Sequence, residues 1–376
     1  MRILVLNAGS SSLKASVIEV GREAPVAEVE RSWGSDASHA GHRRETVIGV
    51  IAELRSAGPV DGAGHRVVHG GPTFREPVIV DAAVLADLDA IADLAPLHNV
   101  VATETIRTAM AELPDVPQVA CFDTAFHATL PEAAWRYPVP DRWFSEWGIR
   151  RYGFHGLSVE WATHQAAHLF RRPAADLALL VAHLGSGCSV TAVLGGRSVS
   201  TSMGLTPLEG LMMGTRAGSI DPGILLRLLR VGDLTADALA EALDHDSGLL
   251  AVSRRSGEMR AVRDAADAGN ADAALAIEMF ARHAAEGIAA AATSLPRIDA
   301  LVFTGGIGEH DGRTRGAIVA RLAPLGWGTG DAAAIQALDG EGVAPGAGDA
   351  PALLVVTARE DLVIARATAE RIASTT

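Results

Sequence analysis

Two distant segments of this 376-residue chain carry one pattern: an apolar strand, a small-residue tip, and a second strand. The first runs Arg2–Asn7, then Ala8-Gly9-Ser10-Ser11-Ser12, then Leu13–Val20. The second runs Leu177–Leu184, then Gly185-Ser186-Gly187, then Cys188–Leu194. Leu6-Asn7-Ala8-Gly9-Ser10 aligns with His183-Leu184-Gly185-Ser186-Gly187. A unit repeated at that distance predicts two copies of one domain. The length agrees, because it exceeds what one core comfortably holds. Each tip offers backbone N–H groups and small side chains to a phosphate chain. Two such tips facing across a cleft can hold a nucleotide between them.

The rest of the chain alternates helical and strand patterns, which predicts an α/β protein. Helices are expected near Arg44–Ser56, Asp81–Asp93, Val100–Glu112, Asp141–Trp147 and Ser158–Phe170. Further helices are expected near Pro222–Arg230, Thr235–Leu243, Glu258–Ala268, Asp272–Ser294 and Gly312–Ala323, with a last one at Glu360–Ile372. Strands are expected at Gln118–Phe122, Ala300–Phe303 and Leu353–Thr357, and Gly340–Pro351 reads as a loop. The expected division is a first domain, residues 1–150, completed by 358–376, and a second, residues 151–357, with a hinge near Tyr137–Arg151.

Charge narrows the function. A formal net charge of −13 disfavours non-specific nucleic-acid or anionic-membrane binding. Aromatic residues at 4% argue against a stacking surface for single strands. Two cysteines, Cys121 and Cys188, make no disulfide framework. The N-terminal apolar run is too short for a signal peptide, and no stretch is long enough to span a bilayer. A cytoplasmic soluble protein is expected. Among the 32 basic residues a single one, Lys14, is lysine, and it lies just beyond the first tip. A compact ammonium differs from a guanidinium as a phosphate ligand.

Several segments could carry chemistry. His65-Arg66-Val67-Val68-His69-Gly70-Gly71 sets an Arg among apolar residues, as a surface group or a site cation. His98 in Ala95-Pro96-Leu97-His98-Asn99 is a helix-start residue or a site residue. Asp123 in Phe122–His127 sits at a strand end, where it caps the next turn or serves as a metal-side or acid/base carboxylate. Arg151-Tyr152-Gly153-Phe154-His155-Gly156 is denser, with a His between Phe and Gly. Thr206–Arg216 is a Gly/Met-rich loop ending in Arg. No P-loop, GxGxxG or zinc spacing occurs. The residues by themselves lead to a two-domain nucleotide or phosphate enzyme with an Arg/His-rich cleft.

Taken together these segments resemble the acetate kinase family. The matches run in order from Leu4–Lys14 to Glu360–Arg366, through His65–Gly71, Ala95–Asn99, Phe122–His127, Arg151–Gly156, Thr201–Arg216 and Thr304–Glu309. The resemblance implies a duplicated actin-like (ribonuclease-H-like) two-domain fold with an interdomain nucleotide cleft. It implies reversible, Mg2+-dependent transfer of the ATP γ-phosphoryl group to acetate or a similar short carboxylate, in line, giving acyl phosphate and ADP. Mn2+ is the alternative metal, and a homodimer through the second domain is implied.

The roles it implies are these. Asn7 and Glu360 hold the metal, and Ser10, Ser12 and Lys14 face the phosphates. Arg66 and Arg216 bind the acyl carboxylate and the transferring phosphoryl. His155 stabilises the transition state, and Asp123 orders the metal and phosphoryl groups. His98 and His183 line the cleft. Val68, Leu97, Phe154 and Pro207 form an apolar pocket for the acyl methyl. Gly185, Gly187, Glu258, Met259 and Arg260 lie on the nucleotide side, and Gly305, Gly306, Ile307 and Gly308 approach the adenosine. The family usually has Asn at Ser186, Asp at Glu258 and Asn at His310, and these departures cluster on the nucleotide side. Two other functions compete with this one: a kinase for a hydroxyl substrate with Asp123 as base, and a non-catalytic binder that kept the fold.

Overall fold

An apolar run such as Ile3–Leu6 satisfies its backbone only by pairing, and it becomes the middle of a sheet. The computed structural model describes residues 1–9, 12–33, 40–232 and 234–375. Its first sheet contains β1 (Arg2–Ala8), β2 (Ser12–Glu19), β3 (Ala27–Ser32), β4 (Gly62–Val67), β5 (Val78–Ile79) and β6 (Gln118–Phe122). Their order across the sheet is β3-β2-β1-β4-β6-β5. The second sheet contains β7 (Ala178–Leu184), β8 (Cys188–Leu194), β9 (Arg197–Thr201), β10 (Ala300–Thr304), β11 (Gly342–Ala344) and β12 (Ala352–Val355). Its order is β9-β8-β7-β10-β12-β11.

The two sheets share one topology. In both, the first three strands meander antiparallel, the next two add in parallel beside the first, and an antiparallel edge strand closes the sheet. The duplication expected from the two tips is therefore present in the backbone. At the tip side of the central strands, β1 and β4 end near Asn7 and Arg66, and β7 and β10 end with His183 opposite Thr304.

The chain divides into two compact units. One is Met1–Ala128, Phe154–Trp161 and Arg359–Thr376, and the other is Thr129–Gly153 and Ala162–Ala358. Residues 129–150, assigned to the first domain by sequence, thus group with the second unit, and residues 154–161, assigned to the second domain, group with the first unit. The cause is local: Thr129 Oγ1 donates to Ser198 O at 3.0 Å, and Arg151 Nη1 donates to Ser202 O and Met203 O at 2.8 Å.

In the first unit, helices Ala40–Arg55 and Pro96–Glu112 cover one face of the sheet, and Ile51 and Leu54 of the first helix share a core with Leu4, Leu6, Leu13 and Trp33. Helix Glu360–Ala373 covers β4 from the other face. It approaches because β4 is nearly bare there. A Cβ at Gly62 would lie 2.4 Å from Ile372, and one at Gly64 2.4 Å from Thr368. In the second unit, helix Ala271–Ala292 lies on β7 and β8 with a buried face of Ala residues around Phe280 and Ile288. Its start is capped by Asn270, which accepts from Ala273 N at 2.8 Å.

Several elements escaped the sequence patterns, among them β3, β5, β9, β11 and helices Glu132–Trp135, Gly248–Ser253 and Thr329–Ala337. β3, Ala-Glu-Val-Glu-Arg-Ser, is a charged edge strand with little apolar signal. β11 lies inside the segment expected to be a loop, and Gly305–His310 forms a short helix directly after β10.

Candidate active site

Adjacent parallel strands end side by side, so residues at the ends of β1, β4 and β6 meet. These are Asn7, Arg66 and Asp123, the last just past β6 and tied to it by Asp123 N donating to Val67 O at 3.0 Å. The first turn of helix Glu360–Ala373 adds Glu360. Arg66 forks onto Asp123, with Nε to Oδ1 at 2.9 Å and Nη2 to Oδ2 at 2.6 Å. Its Nη1 donates to Asn7 Oδ1 at 3.2 Å. Glu360 Oε2 lies 3.7 Å from Arg66 Nε and accepts from Asn7 Nδ2 at 3.5 Å. Such forks are the strong form of an ion pair.

Electrostatics follow from burial. Asp123 is 1% exposed in its side chain. Burial pushes its pKa up against the pull of Arg66, and the Glu360 charge pushes the same way. For Arg66 burial opposes the charge, yet Asp123 and Glu360 outweigh it and the pKa is raised. The sequence left Arg66 open between surface and site and Asp123 between cap and site carboxylate. Both belong to one buried ion pair.

His155 stands beside this cluster through the backbone. Gly156 N donates to Asp123 O at 2.8 Å, and a Cβ on Gly156 would lie 2.2 Å from that oxygen. Only glycine admits the approach. His155 itself is left-handed, with φ of 59°. Phe154 is buried and meets the His69 ring edge-on, centroids 5.3 Å apart. Asn99 holds the His69 backbone from both sides, at 3.0 and 2.9 Å. Val68 is buried in the same unit. His98 is half-buried at the start of helix Pro96–Glu112 and lowers the Asp123 pKa slightly. Ser10 and the side chain of Leu97 lie outside what is described. Lys14 pairs with Asn7 in register, so the two share a face of the sheet. Its ammonium is 65% exposed and 3.7 Å from Glu30, to which the Ser12 hydroxyl donates at 3.2 Å.

In the second unit the corresponding region is built from glycine. Gly185 N donates to Gly187 O at 3.0 Å and closes the β7–β8 tip. Gly305, at φ of 78°, abuts that hairpin, since a Cβ there would sit 2.8 Å from Leu184 O and 3.0 Å from His183 Nε2. Gly306 is exposed, with open space where its Cβ would be. Ile307 is half-buried. Gly308 is buried, and its carbonyl accepts from Arg315 Nη1 at 2.9 Å, which is a packing contact. Ser186 O accepts from Gly214 N at 3.1 Å, and Gly257 packs against Gly214. That contact brings Glu258, exposed at the start of helix Met259–Asp267, to the same loop. Met259 is buried and Arg260 exposed.

Arg216, from that loop, is half-buried, and its Nη1 donates to Pro207 O at 2.8 Å. Burial lowers its pKa, opposed by Cys188 and Asp244. Among the described residues no carboxylate forms an ion pair with it. Sequence reasoning missed what fixes the Pro207 loop: Glu209 accepts from Arg151 Nη2 at 2.7 Å and from the Tyr137 hydroxyl. It also missed His127, whose Nε2 meets Phe154 O at 2.9 Å. The signal for both lay inside segments singled out for other residues.

Comparison with known proteins is consistent across methods. A family model described as "Acetokinase family" matches residues 45–366. An acetate kinase of Deinococcus deserti is 42% identical over 100% of this chain and 99% of its own length. The crystal structure of Porphyromonas gingivalis acetate kinase superposes with a TM-score of 0.87 at 31% identity, covering 99% of both chains. A propionate kinase structure from Francisella tularensis gives 0.88 at 34% identity, covering 98% of this chain and 99% of that one.

Proposed function

The chain belongs to the acetokinase family, and on that premise we propose that it transfers the γ-phosphoryl group of ATP to acetate, or to a similar short carboxylate, reversibly and in line. It is a kinase with a carboxyl group as acceptor, and its fold is the duplicated α/β actin-like one. The observation that carries the reading is the Asn7–Arg66–Asp123–Glu360 cluster. A carboxylate acceptor is ionised at neutral pH and needs no base, only cations that offset its repulsion from the phosphate. Asp123 has both oxygens engaged by Arg66, so it is poorly placed to act as a general base. That weighs against a hydroxyl acceptor.

The roles divide by unit. In the first, Arg66 keeps N–H groups beyond those given to Asp123 and Asn7, and these bind the acyl carboxylate. Val68 and Phe154 border its methyl, and Lys14 and Ser12 take phosphate oxygens. His155 donates to the transferring group. In the second, Arg216 supplies charge for a phosphoryl group, with no carboxylate ion pair among the described residues, and Pro207 offers an apolar surface to an acyl methyl. The amides of the Gly185–Gly187 tip and of Gly305–Gly306 face the nucleotide, with His183 and Glu258 at their edge.

The donor set fits Mg2+. One carboxylate, Glu360, and one amide, Asn7, are hard oxygen ligands of the kind that leave room for waters and phosphates. Among the described residues no group of three or more His, Cys, Asp or Glu side chains is gathered for a metal. Asn7 and Glu360 would hold the ion, and Asp123 would order them through Arg66. The ion would supply charge neutralisation on phosphate oxygens.

Association and location complete the reading. Helix Pro222–Val231 buries none of its residues and leaves Ile224, Leu226, Leu229 and Val231 exposed, and this face supports a homodimer through the second unit. No described helix is long and apolar enough to cross a membrane. Two free, buried cysteines suit a cytoplasmic enzyme.

A hydroxamate trap tests the reaction, with acetate, propionate and butyrate each against ATP, with and without Mg2+. Colour with acetate and ATP that disappears without metal is the expected result. Folded, nucleotide-binding protein that gives none with any acid refutes the reading.

A further inference from the structure

His155 carries the only non-glycine left-handed backbone in the described part of the first unit. Such a conformation is strained for a residue with a Cβ and persists where neighbours over-determine it. The restraints lie on both sides. After it, Gly156 N donates to Asp123 O at 2.8 Å and Val159 N donates to His155 O at 2.9 Å. Before it, the Phe154 ring is fixed against His69, and the Phe154 carbonyl meets His127 Nε2 at 2.9 Å. A carbonyl only accepts, so His127 must carry its proton on Nε2.

We infer that His127 is a positioning residue for phosphoryl transfer: its Nε2–H anchors the Phe154 carbonyl, holds the next residue left-handed, and so aims the His155 imidazole. The inference rests on His155 acting on the transferring group. His127 is 1% exposed, and burial depresses its pKa to about 4, so at neutral pH it is an uncharged donor. A buried imidazole that only fills space would be replaceable by an apolar side chain of similar volume. A donor would not.

The test compares His127→Met, which removes the donor, with His127→Gln, whose amide reaches about where Nε2 lies. His127→Met should lower kcat by about 10²-fold, as for a catalytic group displaced by about 1 Å, with KM for acetate and ATP changed by less than about threefold. His127→Gln should recover roughly tenfold of that. In a His155→Ala background, His127→Met should cause no further loss, because it acts through the missing imidazole. If His127→Met does not fold, His127→Asn serves, since its shorter amide reaches only to Nδ1 and should behave as the donor-less variant. Normal kcat in the donor-less variant, or a further loss without His155, overturns the inference while leaving His155 in place. Full turnover by His155→Ala alone would instead overturn the reading of His155 on which it rests.

Discussion

The two sheets have one topology and opposite chemistry. Where the first carries Asn7, Arg66 and Asp123 at the ends of its central strands, the second ends β7 and β10 with His183 opposite Thr304 and follows β12 with Val356. Around those ends it adds glycine, at Gly185, Gly305 and Gly306. The first copy is rich in side-chain charge at its strand ends, and the second in bare backbone.

The arginines separate the two copies most sharply. Arg66 is the partner of a buried carboxylate, and Arg216 is bound to a carbonyl. Losing either should lower turnover by roughly 10³-fold, because electrostatic stabilisation dominates this transfer. Only Arg66→Ala should also cost about 3–5 kcal/mol of stability, since it strands Asp123. Equal melting temperatures for Arg66→Ala and Arg216→Ala would erase the distinction.

Acid should act on the first unit. His65 and His127, both buried there, have pKa values pushed down to about 4 by burial. Between pH 6.5 and 4 the unfolded chain takes up these protons and the folded one does not. Stability is therefore complete above pH 6.5 and falls as pH drops toward 4, by up to roughly 3 kcal/mol per histidine. Hydrogen exchange should record earlier loss of protection in β1, β4 and β6 than in β7 and β10. Simultaneous loss would remove the histidines as the cause.

The smallest effect probes the glycines. Gly305→Ala meets Leu184 O and a positive φ and should destabilise by about 1–2 kcal/mol. Gly306→Ala meets nothing and should leave stability unchanged within about 0.5 kcal/mol. If Gly306→Ala also leaves KM for ATP unchanged, backbone approach at that position is not needed.

How much of this could be read from residues alone follows from range. The hairpins were legible because alternation and a small-residue tip are local signals, and so was β6 running into Asp123. The Arg66–Asp123 fork was not, because it joins residues 57 apart and depends on β4 and β6 being neighbours. β3 was hidden by its charges, and the grouping of residues 129–153 by contacts with Glu209 and Ser202 far along the chain. Resemblance named the site residues, but it did not reveal that Arg66 is already saturated on one side by Asp123. His127 was quoted within a motif and given no role, since its partner is a carbonyl, which no side-chain pattern announces.

The bare stripe of β4 also sets a schedule. Gly62 and Gly64 wait for Ile364, Thr368 and Ile372, which a ribosome adds long after them. At about 5–20 residues per second, the interval between making Phe122 and making Glu360 is on the order of ten to fifty seconds. During that time the first sheet is complete in its strands and uncovered on one face, while Arg66 and Asp123 already have one another. A nascent chain that has not reached Glu360 is thus expected to hold the Arg66–Asp123 pair while lacking the carboxylate proposed for the metal.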